Sequence, residues 1–243
     1  MRRILAPLYH IWFYIVVAIV TILLSPFLIV SILHQSWYPY FFKLAKLWSV
    51  IIIYGIGCYP VIQRDFKTEK GKSYLFVANH TSMTDIMLLF YVIPNPFVFI
   101  GKKELSKLPI FGYIYRRTSI LVDRKNTKSR IEAFKNAQAK LNQGLSICIF
   151  PEGGVPNSEI ILDDFKEGAF QLAITHQIPI VPLTLHDNKK RFPYDLFCGM
   201  PGKMRVKVHS LIPVKDLKIN DRKELKKLTR DIILNELLHP TVK

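Results

Sequence analysis

The sequence predicts an α/β fold: a mostly buried sheet flanked by helices, preceded by N-terminal membrane-anchoring helices. Three observations predict it. From Ser73 onward short apolar runs alternate with stretches of helical periodicity, the pattern of βα units around a buried sheet. The chain has 243 residues, enough for one sizeable α/β domain plus an appendage and too few for two comfortable domains. Its hydrophobic residues, 50% of the total, are concentrated at the front.

The first element is that front. Trp12 to Leu33 carries no charge and is long enough to cross a bilayer, since roughly 20 apolar residues span the hydrocarbon core. A second apolar run, Leu47 to Tyr59, follows after only two lysines, Lys43 and Lys46. Pro26 inside the first run predicts a kink, and the aromatic cluster Trp37 to Phe42 predicts an interfacial segment between the runs. The first run exceeds a typical signal-peptide core and lacks a small-residue cleavage site after it, so residues 1–60 read as a retained anchor and 61–243 as the catalytic domain.

Strands are expected at Tyr74–Ala78, Phe97–Ile100, Ser119–Val122, Leu145–Phe150, Ile178–Leu185 and Met204–Val208. Helices are expected at Met83–Val92, Thr127–Gln143, Asp164–His176 and Asp221–Leu238. The last is amphipathic and basic, with Leu225, Leu228, Ile232 and Leu238 near helical spacing; a core-packing helix with a solvated face is favoured over membrane contact.

Lys and Arg number 34 against 18 Asp and Glu, a formal charge of +16. Combined with surplus apolar surface, this balance points to an anionic membrane and away from nucleic acid. Cys58, Cys148 and Cys198 are odd in number and form no CxxC or Cys/His cluster, which disfavours disulfides and zinc and fits a reducing compartment.

Chemistry concentrates at "FVANHTSMTD", Phe76 to Asp85, where an apolar strand breaks into a polar turn. Ser82-x-x-Asp85 reads as a capping box for the next helix, with Thr81 or Ser82 as the cap. The turn lets His80 fold back toward Asp85, whose carboxylate can hold one ring nitrogen and leave the other as a base. Alone this H-x4-D spacing is weak, because it arises by chance in roughly a third of such chains. Other strand ends add weight. "FPEGG", Phe150 to Gly154, ends a strand in a turn of small residues that lets backbone approach a ligand. "TSILVDR" ends another in Arg124, a guanidinium suited to a phosphate, and "IPIVPLTL" adds a proline-bracketed strand. No serine elbow, metal cluster or Gly-rich nucleotide fingerprint is present.

These blocks, in this order across about Ser73 to Val214, resemble the glycerolipid acyltransferase family, in particular its bacterial 1-acylglycerol-3-phosphate acyltransferases. N-H-x-S-x-x-D is similar to Asn79 to Asp85, so the resemblance implies His80 and Asp85 as the catalytic pair. It implies substrate-binding roles for Asn79, Ser82, Lys102, Lys103, Arg124, Glu152 and Gly153, the lysines lying in "GKKELSKLPIFG". Thr118 stands where G-x-I-x-x-x-R has its glycine, and Gly154 and Val155 replace the Thr and Arg of F-P-E-G-T-R.

What the resemblance implies is a membrane protein whose active site faces the cytoplasm, its front helices resembling the family's hairpin. It would move an acyl group from acyl-CoA or acyl carrier protein to a lyso-lipid hydroxyl, with no cofactor and no metal. The expected acceptor is 1-acylglycerol-3-phosphate, making phosphatidate in phospholipid biosynthesis. The alternatives are an acyltransferase for a phosphate-free lyso-lipid, such as an acylated amino acid, and an acyl-ester hydrolase.

Overall fold

The computed structural model describes residues 2–108, 111–123, 125–157 and 159–243. Among these, seven strands form one sheet: β1 (Cys58–Arg64), β2 (Leu75–Ala78), β3 (Phe97–Lys102), β4 (Ser119–Val122), β5 (Ser146–Ile149), β6 (Ile180–Leu185) and β7 (Gly202–Val208). Their spatial order is β1-β7-β6-β2-β5-β3-β4. All neighbours pair parallel except β6 and β7, which run antiparallel. The helices are α1 (Arg2–Ser31), α2 (Tyr38–Gly55), α3 (Thr84–Val92), α4 (Phe111–Thr118), α5 (Thr127–Asn142), α6 (Gly168–Thr175), α7 (Asn188–Arg191) and α8 (Arg222–Leu238).

β2 carries Leu-Phe-Val-Ala with every residue buried, as expected for a strand covered on both faces. Phe76 and Ala78 enter one apolar cluster and Leu75 and Val77 the other, so the period of two divides the core into two layers. The chain leaves β2 through α3 toward β3 and β4, returns through α5 to β5 beside β2, and crosses through α6 to β6 on the other side of β2. This reversal around β2 makes a crevice at the carboxyl ends of β5, β2 and β6, the usual ligand position in an open α/β sheet.

The front of the chain departs from the sequence reading. α1 starts at Arg2, ten residues before the charge-free run, and stays helical through Pro7 and Pro26. α2 absorbs the aromatic cluster expected to lie between two runs, because Pro39 sits in its first turn, where no N–H is needed, and Tyr38, Phe41 and Phe42 turn into the core. The two helices form an antiparallel hairpin: Trp12 Nε1 donates to Gly55 O at 2.8 Å and Trp48 Nε1 to Thr21 Oγ1 at 2.9 Å. Phe13, Val16 and Val20 of α1 and Ile52, Ile53 and Ile56 around the end of α2 share one cluster with Phe76 and Phe97. The hairpin and the sheet domain therefore share one apolar cluster.

β1 was not expected, since its residues ran on from an apolar helix and include Pro60; as an edge strand it needs hydrogen bonds on one side only. α4 was also unforeseen. α8 packs against the sheet through Leu225, Thr229, Ile233 and Glu236, while Leu228 and Leu238 of the expected apolar stripe are exposed.

Candidate active site

His80 leaves the carboxyl end of β2, and the turn Asn79–Met83 carries the chain into α3. His80 Nδ1 lies 2.8 Å from Asp85 Oδ2, and Asp85 is fully buried while the imidazole is 19% exposed. The same Oδ2 accepts from the backbone amides of Thr81 at 2.6 Å and Ser82 at 2.9 Å. Asp85 thus performs the back-reaching half of the expected capping box. Ser82 performs the other half one residue early, its Oγ accepting from Thr84 N at 3.2 Å. Asp85 lies in the first turn of α3, where the helix dipole favours a negative charge.

The neighbouring strands brace this turn. After β5, Glu152 Oε1 accepts from His80 N at 2.7 Å, and Oε2 accepts from Asp163 N at 3.1 Å. Burial pushes the Glu152 carboxyl up to about 7, against the opposing pull of those two amides. Phe150 stacks on the imidazole with ring centroids 4.0 Å apart. After β6, Asn188 at the start of α7 donates Nδ2–H to Asp85 Oδ1 at 2.6 Å, and both residues are fully buried. α7 is itself fixed by Asp187, which forms a two-pronged ion pair with Arg205 of β7. Sequence reasoning missed Asn188; 103 positions separate it from Asp85, so no local spacing signals the contact.

Several expected substrate ligands have other occupations. Asn79 is fully buried and acts as one more rung beside β6, donating to Leu185 O at 3.0 Å and accepting from Leu185 N at 2.8 Å. Ser82, also fully buried, donates to Phe192 O at 2.6 Å. Glu152 is 4% exposed and serves the turn. All three side chains are engaged by protein partners around the turn. Lys102 and Gly153 do line the cavity in front of His80; Lys103 is exposed in the short 3-10 turn Lys103–Lys107 and does not line it. Arg124 lies outside the described residues. The amides of the Asn79 turn are taken: His80 N by Glu152, Thr81 N and Ser82 N by Asp85. Gly154 and Val155 line the cavity, and their amides meet no acceptor among the described residues.

The cavity has a volume of about 460 Å³. It runs from His80 past Phe99 and Phe150 to Leu28 of α1 and Phe41 and Trp48 of α2, so the front hairpin supplies one wall. Among the described residues, His80 Nε2 has no protein partner, and His80 is part of the lining. With Nδ1–H held by a buried carboxylate, Nε2 is the basic nitrogen.

A mixed α/β sheet that presents a carboxylate-held imidazole to a largely apolar cavity is an enzyme-like arrangement, a basic nitrogen at the mouth of a space lined by apolar side chains. The Acyltransferase family model matches residues 61–186, just over half of the chain. The chain belongs to that acyltransferase family. It is 33% identical over 144 residues to the 1-acyl-sn-glycerol-3-phosphate acyltransferase of Cocos nucifera, covering 58% of this chain and 46% of that one. It is 30% identical over 186 residues to the 1-acyl-sn-glycerol-3-phosphate acyltransferase alpha of Ovis aries, covering 74% and 63%. The chain thus spans about half to two thirds of the length of these curated relatives. The crystal structure of the 1-acyl-sn-glycerophosphate (LPA) acyltransferase PlsC from Thermotoga maritima superposes with a TM-score of 0.82 at 24% identity, covering the whole of both chains. The fold is that of PlsC.

Proposed function

We propose that the protein is a membrane-bound O-acyltransferase that moves a fatty acyl group from an acyl thioester to the free hydroxyl of 1-acylglycerol-3-phosphate, giving phosphatidate. The observation that carries this reading is the unpartnered Nε2 of His80 at one end of an apolar cavity, with Nδ1 held 2.8 Å from a fully buried carboxylate. The names of the relatives support the choice of acceptor.

An alcohol is a poor nucleophile at neutral pH, and His80 Nε2 takes its proton as the oxygen attacks the thioester carbonyl. A positioned imidazole contributes about 10²–10⁴-fold. Asp85 stabilises the imidazolium without itself taking the proton. We assign the tetrahedral oxyanion to the Gly154 and Val155 amides, which no acceptor among the described residues engages. Collapse breaks the carbon–sulfur bond, the thiolate leaves with the proton from His80, and the ester remains. Nothing in this sequence calls for a cofactor beyond the acyl carrier, coenzyme A or acyl carrier protein. α1 exposes Ile19, Ile22, Leu23 and Phe27 over a stretch long and apolar enough to cross a membrane, which supports an embedded front end; that the active site faces the cytoplasm is part of the proposal.

One observation favours a second acceptor. Val155 lines the cavity at the place where the resembled F-P-E-G-T-R block has its arginine, so a phosphate-free lyso-lipid meets no missing partner there. Lys102, in the same lining, offers the phosphate an alternative cation. Acyl transfer by purified protein to lysophosphatidate and to a lyso-lipid built on an acylated amino acid decides between them. The expected result is preference for lysophosphatidate, with His80→Ala lowering transfer at least about 10²-fold and leaving membrane association intact. Near-normal turnover of His80→Ala refutes the base, and ester cleavage outpacing transfer makes the protein a hydrolase.

A further inference from the structure

The segment from Phe192 to Pro201, between α7 and β7, lies beside the cavity and exposes Tyr194 at 60%, Leu196 at 54% and Phe197 at 63%. A mobile loop would fold such side chains under itself, but this one is tied along its length. Phe192 is buried and stacks on Phe13 of α1 with centroids 3.9 Å apart, and its carbonyl accepts from Ser82 Oγ. Cys198 O lies 2.9 Å from His10 Nε2 of α1. Met200 N donates to Arg191 O at 3.1 Å, and Arg191 Nη1 donates back to Pro201 O at 3.3 Å. A braced loop holding three large apolar side chains outward within four residues is a contact surface without its partner.

We propose that this loop is a second, loop-borne contact with the lipid bilayer, which sets the height of the cavity mouth against anionic headgroups. The proposal rests on the reading of α1 as a membrane helix. Two observations select lipid over another protein. The loop adjoins exposed apolar surface of α1: Tyr14, 50% exposed, meets Phe192 edge-on with ring centroids 6.0 Å apart. Cations flank it, Lys189 and Lys190 before and Lys203 after, as expected of a segment that dips past an anionic headgroup layer. Tyr194 also lines the cavity, so the contact opens the site directly toward the leaflet that carries the acceptor.

The test uses the full chain in vesicles of phosphatidylcholine and phosphatidylglycerol. A nitroxide at Phe197→Cys, in a Cys198→Ser background, is expected to be shielded from an aqueous nickel chelate and reached by oxygen. A second nitroxide at Leu23→Cys monitors α1 alone. An aqueous label at 197 overturns the proposal; if the label at 23 is sheltered the membrane helix stands, and if it too is aqueous the helix falls as well. Strong spin–spin broadening at 197 in micelles overturns the proposal in favour of a second copy of the chain. In kinetics, the double variant Leu196→Ser/Phe197→Ser, whose residues do not line the cavity, is expected to lose about tenfold in kcat/KM on vesicle-borne acceptor. Turnover of detergent-dispersed substrate should stay within about twofold. Equal losses in both formats overturn the proposal.

Discussion

Replacing Asn188 with leucine keeps much of the side-chain volume and deletes one donor. Asp85 Oδ2 accepts three hydrogen bonds, from His80 and two amides, whereas Oδ1 has Asn188 alone among the described residues. The substitution strands one oxygen of a fully buried carboxylate, and the terminal torsion of an aspartate is soft. A hydrogen bond to a charged group is worth about 1.5–3 kcal/mol, and leaving its buried partner unpaired costs at least as much. If the carboxylate must be in place when the imidazolium forms, that energy falls on the chemical step, and kcat drops about ten- to hundredfold. KM for donor and acceptor should hold within about twofold, because Asn188 is fully buried and does not line the cavity. The same loss lowers Tm by about 3–12 °C for a chain of this size. Asn188→Asp should do more harm still, by setting a second carboxylate against Asp85. Steady-state kinetics with both substrates varied, beside thermal melts in detergent, measure all of this. An unchanged kcat for Asn188→Leu, or a loss equal to the unfolded fraction at the assay temperature, would refute the positioning role.

Glu152 makes a pH prediction whose sign follows from burial. Its folded value of about 7 lies above the ordinary 4.5, so within that window the folded protein holds a proton that the unfolded chain has lost, and stability falls as pH rises. Glu152→Gln removes this dependence, so melts should show the variant gaining on the wild type by up to about 3 kcal/mol between pH 4.5 and 7, on top of a constant offset for the amide facing one N–H donor. Gly101 borders the cavity, and a Cβ there would overlap the hydroxyl of Tyr115, another lining residue. Gly101→Ala must displace that ring, and the ratio of kcat/KM for long over short acyl donors should change about tenfold; an unchanged ratio would show that this wall does not meet the acyl chain.

What was legible in the sequence follows the range of the forces involved. β2, β4 and β6 lie within two residues of their expected bounds, because each is a short apolar run, buried throughout in β2 and β6 and at every second residue in β4. The His80–Asp85 contact was legible for the same local reason, since one turn of five residues contains both partners and the amides between them. β1 was not, because a strand exposed along one edge has little apolar periodicity and here follows a helix whose last apolar residues run into it.

The site divides along the same line. The parts carried by one segment could be read, but their purpose could not: Asn79 and Ser82 belong to the same block as His80, yet they bond to Leu185 and Phe192, more than a hundred positions away. Only the reversal of the chain around β2 brings the ends of β5 and β6 to the two sides of His80, so Glu152 and Asn188 acquire their roles from topology. The braces in turn explain why a strained-looking task falls to so short a turn. Every polar atom of the Asp85 carboxylate is engaged and the His80 amide is held, which leaves ring nitrogen Nε2 as the one group in the turn aimed at the cavity without a protein partner among the described residues. A base held this way loses little orientational entropy when substrate arrives, and that preorganisation, rather than any single contact, is what a fold-level arrangement of three strand ends can supply to catalysis.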